Sequence, residues 1–170
     1  MTRVLVACVG NIFSSDDGFG VHVAAELAGR ELPDGVRVVD FGIRSVHLVY
    51  ELLDGYDLLV LVDAVAQQEG PPGTLYVIEP DLAPAPGKSL PEVMLDPHDL
   101  SPGTAMQLLP ALGGSVRRAV VVGCQPASTE DGIGLSDAVS AAVRPAADLV
   151  LDVLGRELGG PGALSEEVYR

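Results

Sequence analysis

Two adjacent carboxylates, Asp16 and Asp17, sit in the stretch "VGNIFSSDDGFG", directly after the apolar run "RVLVACVG". A third, Asp63, follows "LLVLV", part of the most hydrophobic strand-like run in the chain. A histidine, His98, lies in "LDPHDL" within a proline-rich segment. Carboxylates and a neutral imidazole are donor types that suit a borderline divalent metal such as zinc or nickel. Three protein ligands leave coordination positions open, which favours chemistry or an incoming partner over a structural staple. The residues are far apart in the chain, so the set exists only if the fold gathers them. Taken singly, each has a plainer role. One Asp could cap a helix while the other gains roughly 0.3–1 kcal/mol from the helix dipole, and His98 could be an exposed loop residue.

A glycine-rich turn between a first strand and a first helix also suggests a phosphate site. Here Gly10, Gly18 and Gly20 have the wrong spacing for G-x-G-x-x-G, and two acids already occupy the helix end a pyrophosphate would need. Asp40, ending a second apolar run, imitates a ribose-binding acid, but without the glycines it reads as structural. Cys8 and Cys124 stand in strand-like runs and read as small buried residues of a reducing compartment, not as a disulfide. No motif places a histidine beside either thiol, so a cysteine hydrolase is the weakest enzymatic reading. His22 and His47 fall on amphipathic patterns and read as helix-face residues.

An open α/β sheet would bring Asp16, Asp17 and Asp63 to one place, because ligand sites in such sheets form beyond the carboxyl ends of the strands. The pattern predicts that architecture. Apolar runs at 4–9, 36–42, 57–65, 73–79 and 118–125 read as strands, the fourth near an edge. Helical periodicity covers 20–32, 45–53 and 135–158, and a further helix opens at Ser101 and Pro102. Pro145 should kink or divide the last helix. Strands alternating with helices imply an α/β fold, a three-layer α/β/α sandwich around a mostly parallel, twisted sheet of about five strands. Residues 1–158 read as a single domain and 159–170 as a flexible tail. Between Pro71 and Pro102 lie 8 of the 13 prolines, a stiffened excursion of the kind that often carries function.

The chain has 170 residues, 48% of them hydrophobic, and a formal net charge of −14 with Lys88 its single lysine. That balance excludes nucleic acid and anionic membrane as partners, since both need basic patches. It is compatible with a basic protein or peptide. No apolar run reaches the roughly 18 residues of a membrane span, and "MTRVLVACVGN" reads as a first strand and not a signal peptide. A cytoplasmic location is expected.

With those residues in view, the sequence resembles the maturation endopeptidases of nickel-iron hydrogenases, over nearly its whole length. Gly10-Asn11, the "DDGFG" of Asp16 to Gly20, the "VDA" of Val62 to Ala64, Pro97-His98, the "GCQP" of Gly123 to Pro126 and the "GLS" of Gly134 to Ser136 fall in the family's order. Each motif is weak; their succession is specific. The resemblance implies an endopeptidase that clips the C-terminal extension from a hydrogenase large-subunit precursor once nickel is inserted. It further implies a site of Asp17, Asp63 and His98, with Asp16 as a helix-capping partner. Nickel would arrive with the substrate, and no tightly bound cofactor is expected. Cys8 stands where the family often has glycine, Phe13 where it often has leucine, and Asp17 where some members carry glutamate.

Two further readings use the same residues. A metallohydrolase with its own zinc would want H-E-x-x-H or a multi-histidine cluster, which the chain lacks. A non-catalytic checkpoint or chaperone would bind the nickel-loaded precursor through the same side chains without cutting it. A monomer is expected, as suits an enzyme that must clasp a larger protein.

Overall fold

Strand β1 (Val4–Val9) is buried at every position, and the reason lies in the layers around it. In a strand, alternate side chains face opposite sides of the sheet. Val4, Val6 and Cys8 enter one hydrophobic cluster, while Leu5, Ala7 and Val9 enter a second on the other face. Strand β3 (Tyr56–Ala64) repeats the division, with Leu58, Val60 and Val62 on the first side and Leu59 and Leu61 on the second. A strand covered on both faces reads as an unbroken apolar run, which is why "LLVLV" shows no alternation. The structure is a computed structural model that describes residues 1–43, 45–66, 68–82, 106, 109–159 and 167–169.

The remaining strands are β2 (Val36–Gly42), β4 (Leu75–Ile78), β5 (Val116–Cys124) and β6 (Glu167–Tyr169), and the sheet order is β2-β1-β3-β5-β4-β6. Strands β2, β1, β3 and β5 are parallel; β4 and β6 add antiparallel pairs at one side. Helices α1 (Phe19–Leu27) and α3 (Asp137–Gly159) cover the first face, and α2 (Ser45–Leu53) covers the second with Met106 and Leu109. The three-layer sandwich expected from the sequence is the fold.

The details differ in three places. Six strands form where about five were expected, because Glu167–Tyr169, within the segment expected to fray, pairs with β4 from Leu75↔Tyr169 to Val77↔Glu167. Strand β4 lies next to the edge, as its alternation suggested. Helix α3 runs unbroken through Pro145. Both Pro145 and Ala141, whose carbonyl loses its usual partner, are exposed, so water can satisfy what the proline removes. Helix α1 ends at Leu27, before Gly29 and Pro33, shorter than its periodicity suggested. Most of the helix expected from Ser101 lies outside the described residues; its end is a 3-10 turn, Leu109–Leu112. Among the described residues, no helix is long and apolar enough to cross a membrane.

Candidate active site

The chain leaves β1 through α1 on one face of the sheet and enters β3 from α2 on the other. The crevice between the carboxyl ends of β1 and β3 is therefore the switch point of the topology, where open α/β sheets bind their ligands. Register places Cys8 opposite Val62, so Asp63 stands one residue further along that shared rim.

Two glycines let the turn after β1 close over this point. A Cβ on Gly10 would lie 2.1 Å from the carbonyl oxygen of Asp17. A Cβ on Gly20 would lie 2.1 Å from the Val9 oxygen and 2.7 Å from that of Val62, so the first turn of α1 rests directly on both strand ends. Between them, a 3-10 turn over Ser15–Gly18 carries the two acids. The Asn11 N–H donates to Asp17 Oδ2 at 3.0 Å, and the Asp17 N–H to the Ser14 carbonyl at 3.1 Å, which fixes Asp17 at the rim.

Asp63, near the end of β3, is partly buried. Its carboxyl is pushed up to about 7, first by loss of water around it and then by the charge of Asp17, against a smaller opposing pull from the Ala64 N–H. The charge of Asp17 thus reaches Asp63 across the switch point. His98, the third residue of the expected set, lies outside the described residues. Among the described residues, no three His, Cys, Asp or Glu side chains gather as a metal centre.

Asp16 has a role that its place in the sequence did not suggest. It caps neither the 3-10 turn nor α1, where no side-chain capping bond forms. It is 1% exposed and turns toward the loop between β5 and α3. There it accepts the N–H groups of Ala127 (2.8 Å), Ser128 (3.3 Å) and Ser136 (2.7 Å), and the Ser136 hydroxyl at 2.9 Å. Burial would raise its carboxyl, but these donors, Ser136 foremost, hold it below the ordinary value. The doublet is a division of labour: Asp16 ties two loops together, while Asp17 is held at the rim, where its charge acts on Asp63. Gly134 to Ser136 belonged to the motif series, yet a bond across 120 residues leaves no periodic trace in a sequence.

The other candidates resolve plainly. Cys8 and Cys124 are free and fully buried, and both thiols are pushed up to about 12, mainly by burial and further by Asp40 and Asp16 respectively. Neither can serve as a thiolate nucleophile near neutral pH. Asp40 Oδ1 accepts the Gly42 N–H at 2.8 Å at the end of β2, which is the structural role expected of it. His22 and His47 are exposed on α1 and α2. A groove of about 470 Å³ beside α3, lined by Pro72, Leu75, Ala142 and Pro145 among others, contains neither Asp17 nor Asp63.

Comparison with known proteins gives a consistent result. A family model described as hydrogenase maturation protease matches residues 21–153. The chain is 33% identical over 168 residues to a hydrogenase 2 maturation protease of Escherichia coli, covering 98% of this chain and 99% of that one. Among solved structures, the hydrogenase maturating endopeptidase HybD from E. coli superposes with a TM-score of 0.75 at 31% identity, covering 98% of this chain and 96% of that one. A hydrogenase 2 maturation peptidase from a Thaumarchaeota archaeon gives 0.67 at 33% identity, covering 91% and 99%.

Proposed function

Since the chain belongs to the hydrogenase maturation protease family and is a peptidase, we propose that it removes the C-terminal extension of a nickel-iron hydrogenase large-subunit precursor after nickel insertion. Asp17, Asp63 and His98 would recognise the nickel carried by that substrate. The observation that supports this reading is the placement of Asp17 and Asp63 at the β1/β3 switch point, where the charge of Asp17 adds to burial in raising the Asp63 carboxyl. Two carboxylates held close repel each other, and a divalent cation relieves that repulsion while gaining two hard oxygen donors.

The reaction class is peptide hydrolysis. Engagement of the precursor-borne nickel seats the scissile bond over the rim, and water in that crevice attacks it. In the free protein Asp63 takes up a proton near pH 7. Ligation requires the ionised carboxylate and the neutral imidazole, so docking releases protons and weakens as pH falls below 7. The protein is proposed to act in the cytoplasm, as a monomer, on a precursor not yet assembled.

The test is the intact mass of a nickel-loaded precursor incubated with wild type, Asp17→Asn or His98→Ala. Loss of a C-terminal peptide with wild type alone is the expected result. Wild-type rates in both variants would remove Asp17 and His98 from the site. A stable complex with unchanged precursor mass would favour a binding checkpoint over cleavage.

A further inference from the structure

We infer that Ile12, Phe13 and Ile133 form an apolar clamp that grips an extended segment of the protein substrate beside the Asp17–Asp63 pair. The clamp rests on the peptidase reading and names what the rim holds on to. Ile12 is 43% exposed, Phe13 64% and Ile133 84%. Isolated exposed apolar residues are ordinary, but three on two adjoining loops at one end of the sheet mark an interaction surface.

Those loops are built so that the three side chains stay out. The Gly132 N–H donates to the Phe13 carbonyl and the Ser15 N–H to the Gly132 carbonyl, each at 2.9 Å. The Ser15 hydroxyl donates to the Glu130 carbonyl at 2.9 Å, and Asp16 holds Ala127, Ser128 and Ser136 as described. Ser15 itself has φ of 51°, the sole non-glycine residue with positive φ among those described. A strained residue locked by surrounding bonds is characteristic of functional loops. Ile12 lies against the turn that carries Asp17, since a Cβ on Gly18 would come within 3.2 Å of the Ile12 Cα.

Charge identifies the occupant. Residues 10–18 and 125–136 include Asp16, Asp17, Glu130 and Asp131 and no Lys or Arg. The charge of Asp16 is spent on its four donors; Glu130 and Asp131 are exposed and Asp17 is partly so, which leaves the rim net acidic. An apolar side chain flanked by cationic residues fits this rim, and acidic flanks are repelled. A second copy of this chain, at a net charge of −14, would bring like charge to like.

The experiment compares wild type, the Phe13→Ser/Ile133→Ser double variant, and a Leu112→Ser control in the 3-10 turn that precedes the amino end of β5. The probe is the nickel-loaded large-subunit precursor of a hydrogenase from the same organism, with processing kinetics and complex Kd measured separately. The double variant should raise KM and Kd about tenfold or more at unchanged Tm, while the control matches wild type. Unchanged KM and Kd in the double variant would overturn the clamp and leave the peptidase reading intact. Tight binding without cleavage by wild type, lost in the double variant, would uphold the clamp and overturn the peptidase reading. No binding by wild type would overturn both.

Discussion

Asp63 and Asp16 have opposite effects on stability because their surroundings differ. Asp63, raised from 3.8 to about 7, binds a proton more tightly in the folded chain than in the unfolded one. Its contribution is therefore full below about pH 4 and is lost as pH rises to about 7, on the order of a few kcal/mol. Asp16, held low by its donors, contributes above its ordinary value and loses that contribution as the pH falls through its folded value. Carboxyl-detected NMR titration of the metal-free protein should show Asp63 ionising near pH 7 and Asp16 protonating below the ordinary aspartate value. In Asp17→Asn the Asp63 midpoint should fall but stay above the ordinary value, because burial and not Asp17 is the larger cause. An unchanged midpoint would mean the two carboxylates do not face each other.

At the scale of elements, the site depends on how closely α1 can approach two strands. Gly20→Ala would drive a methyl into the Val9 and Val62 carbonyls, which cannot yield without parting helix from sheet. The expected cost is about 3 kcal/mol, or a Tm lowered by about 10 °C. Gly155, exposed in α3 with open space within 4 Å of where a Cβ would stand, makes the contrast. There alanine should stabilise by about 0.5–1 kcal/mol through helix propensity alone. Thermal unfolding of the two variants side by side checks both. Equal effects would mean that glycine at 20 serves flexibility and not close packing.

For the whole molecule, the antiparallel end of the sheet is the vulnerable edge. Strand β4, "LYVI", is buried at three of its four positions and is paired on its outer side by Glu167–Tyr169. Deleting residues 160–170 would leave four residues of apolar strand with unpaired backbone groups, a template for association between copies. Light scattering coupled to size exclusion should give a higher apparent mass for the shortened chain than for the full one at equal concentration. Identical masses would show that the net charge of −14 suffices to keep copies apart.

Much of this is legible in the sequence, and the physical reason is locality. Burial of strands on both faces, periodicity of helices and the glycine turn are written in neighbouring residues, so β1, β2 and α2 match their predicted spans. The placement of Asp17 and Asp63 at one rim followed as well, because the carboxyl ends of parallel strands share a side. What local pattern could not carry was the partner of each long-range contact. Only the folded chain decided that Asp16 binds the loop before α3 and not its own helix, that Glu167–Tyr169 closes the sheet, and that Ile133 stands on the loop beside Phe13. Each of these joins residues far apart in the chain, where hydrogen bonds and packing are set by the sheet's topology and by nothing adjacent in the sequence.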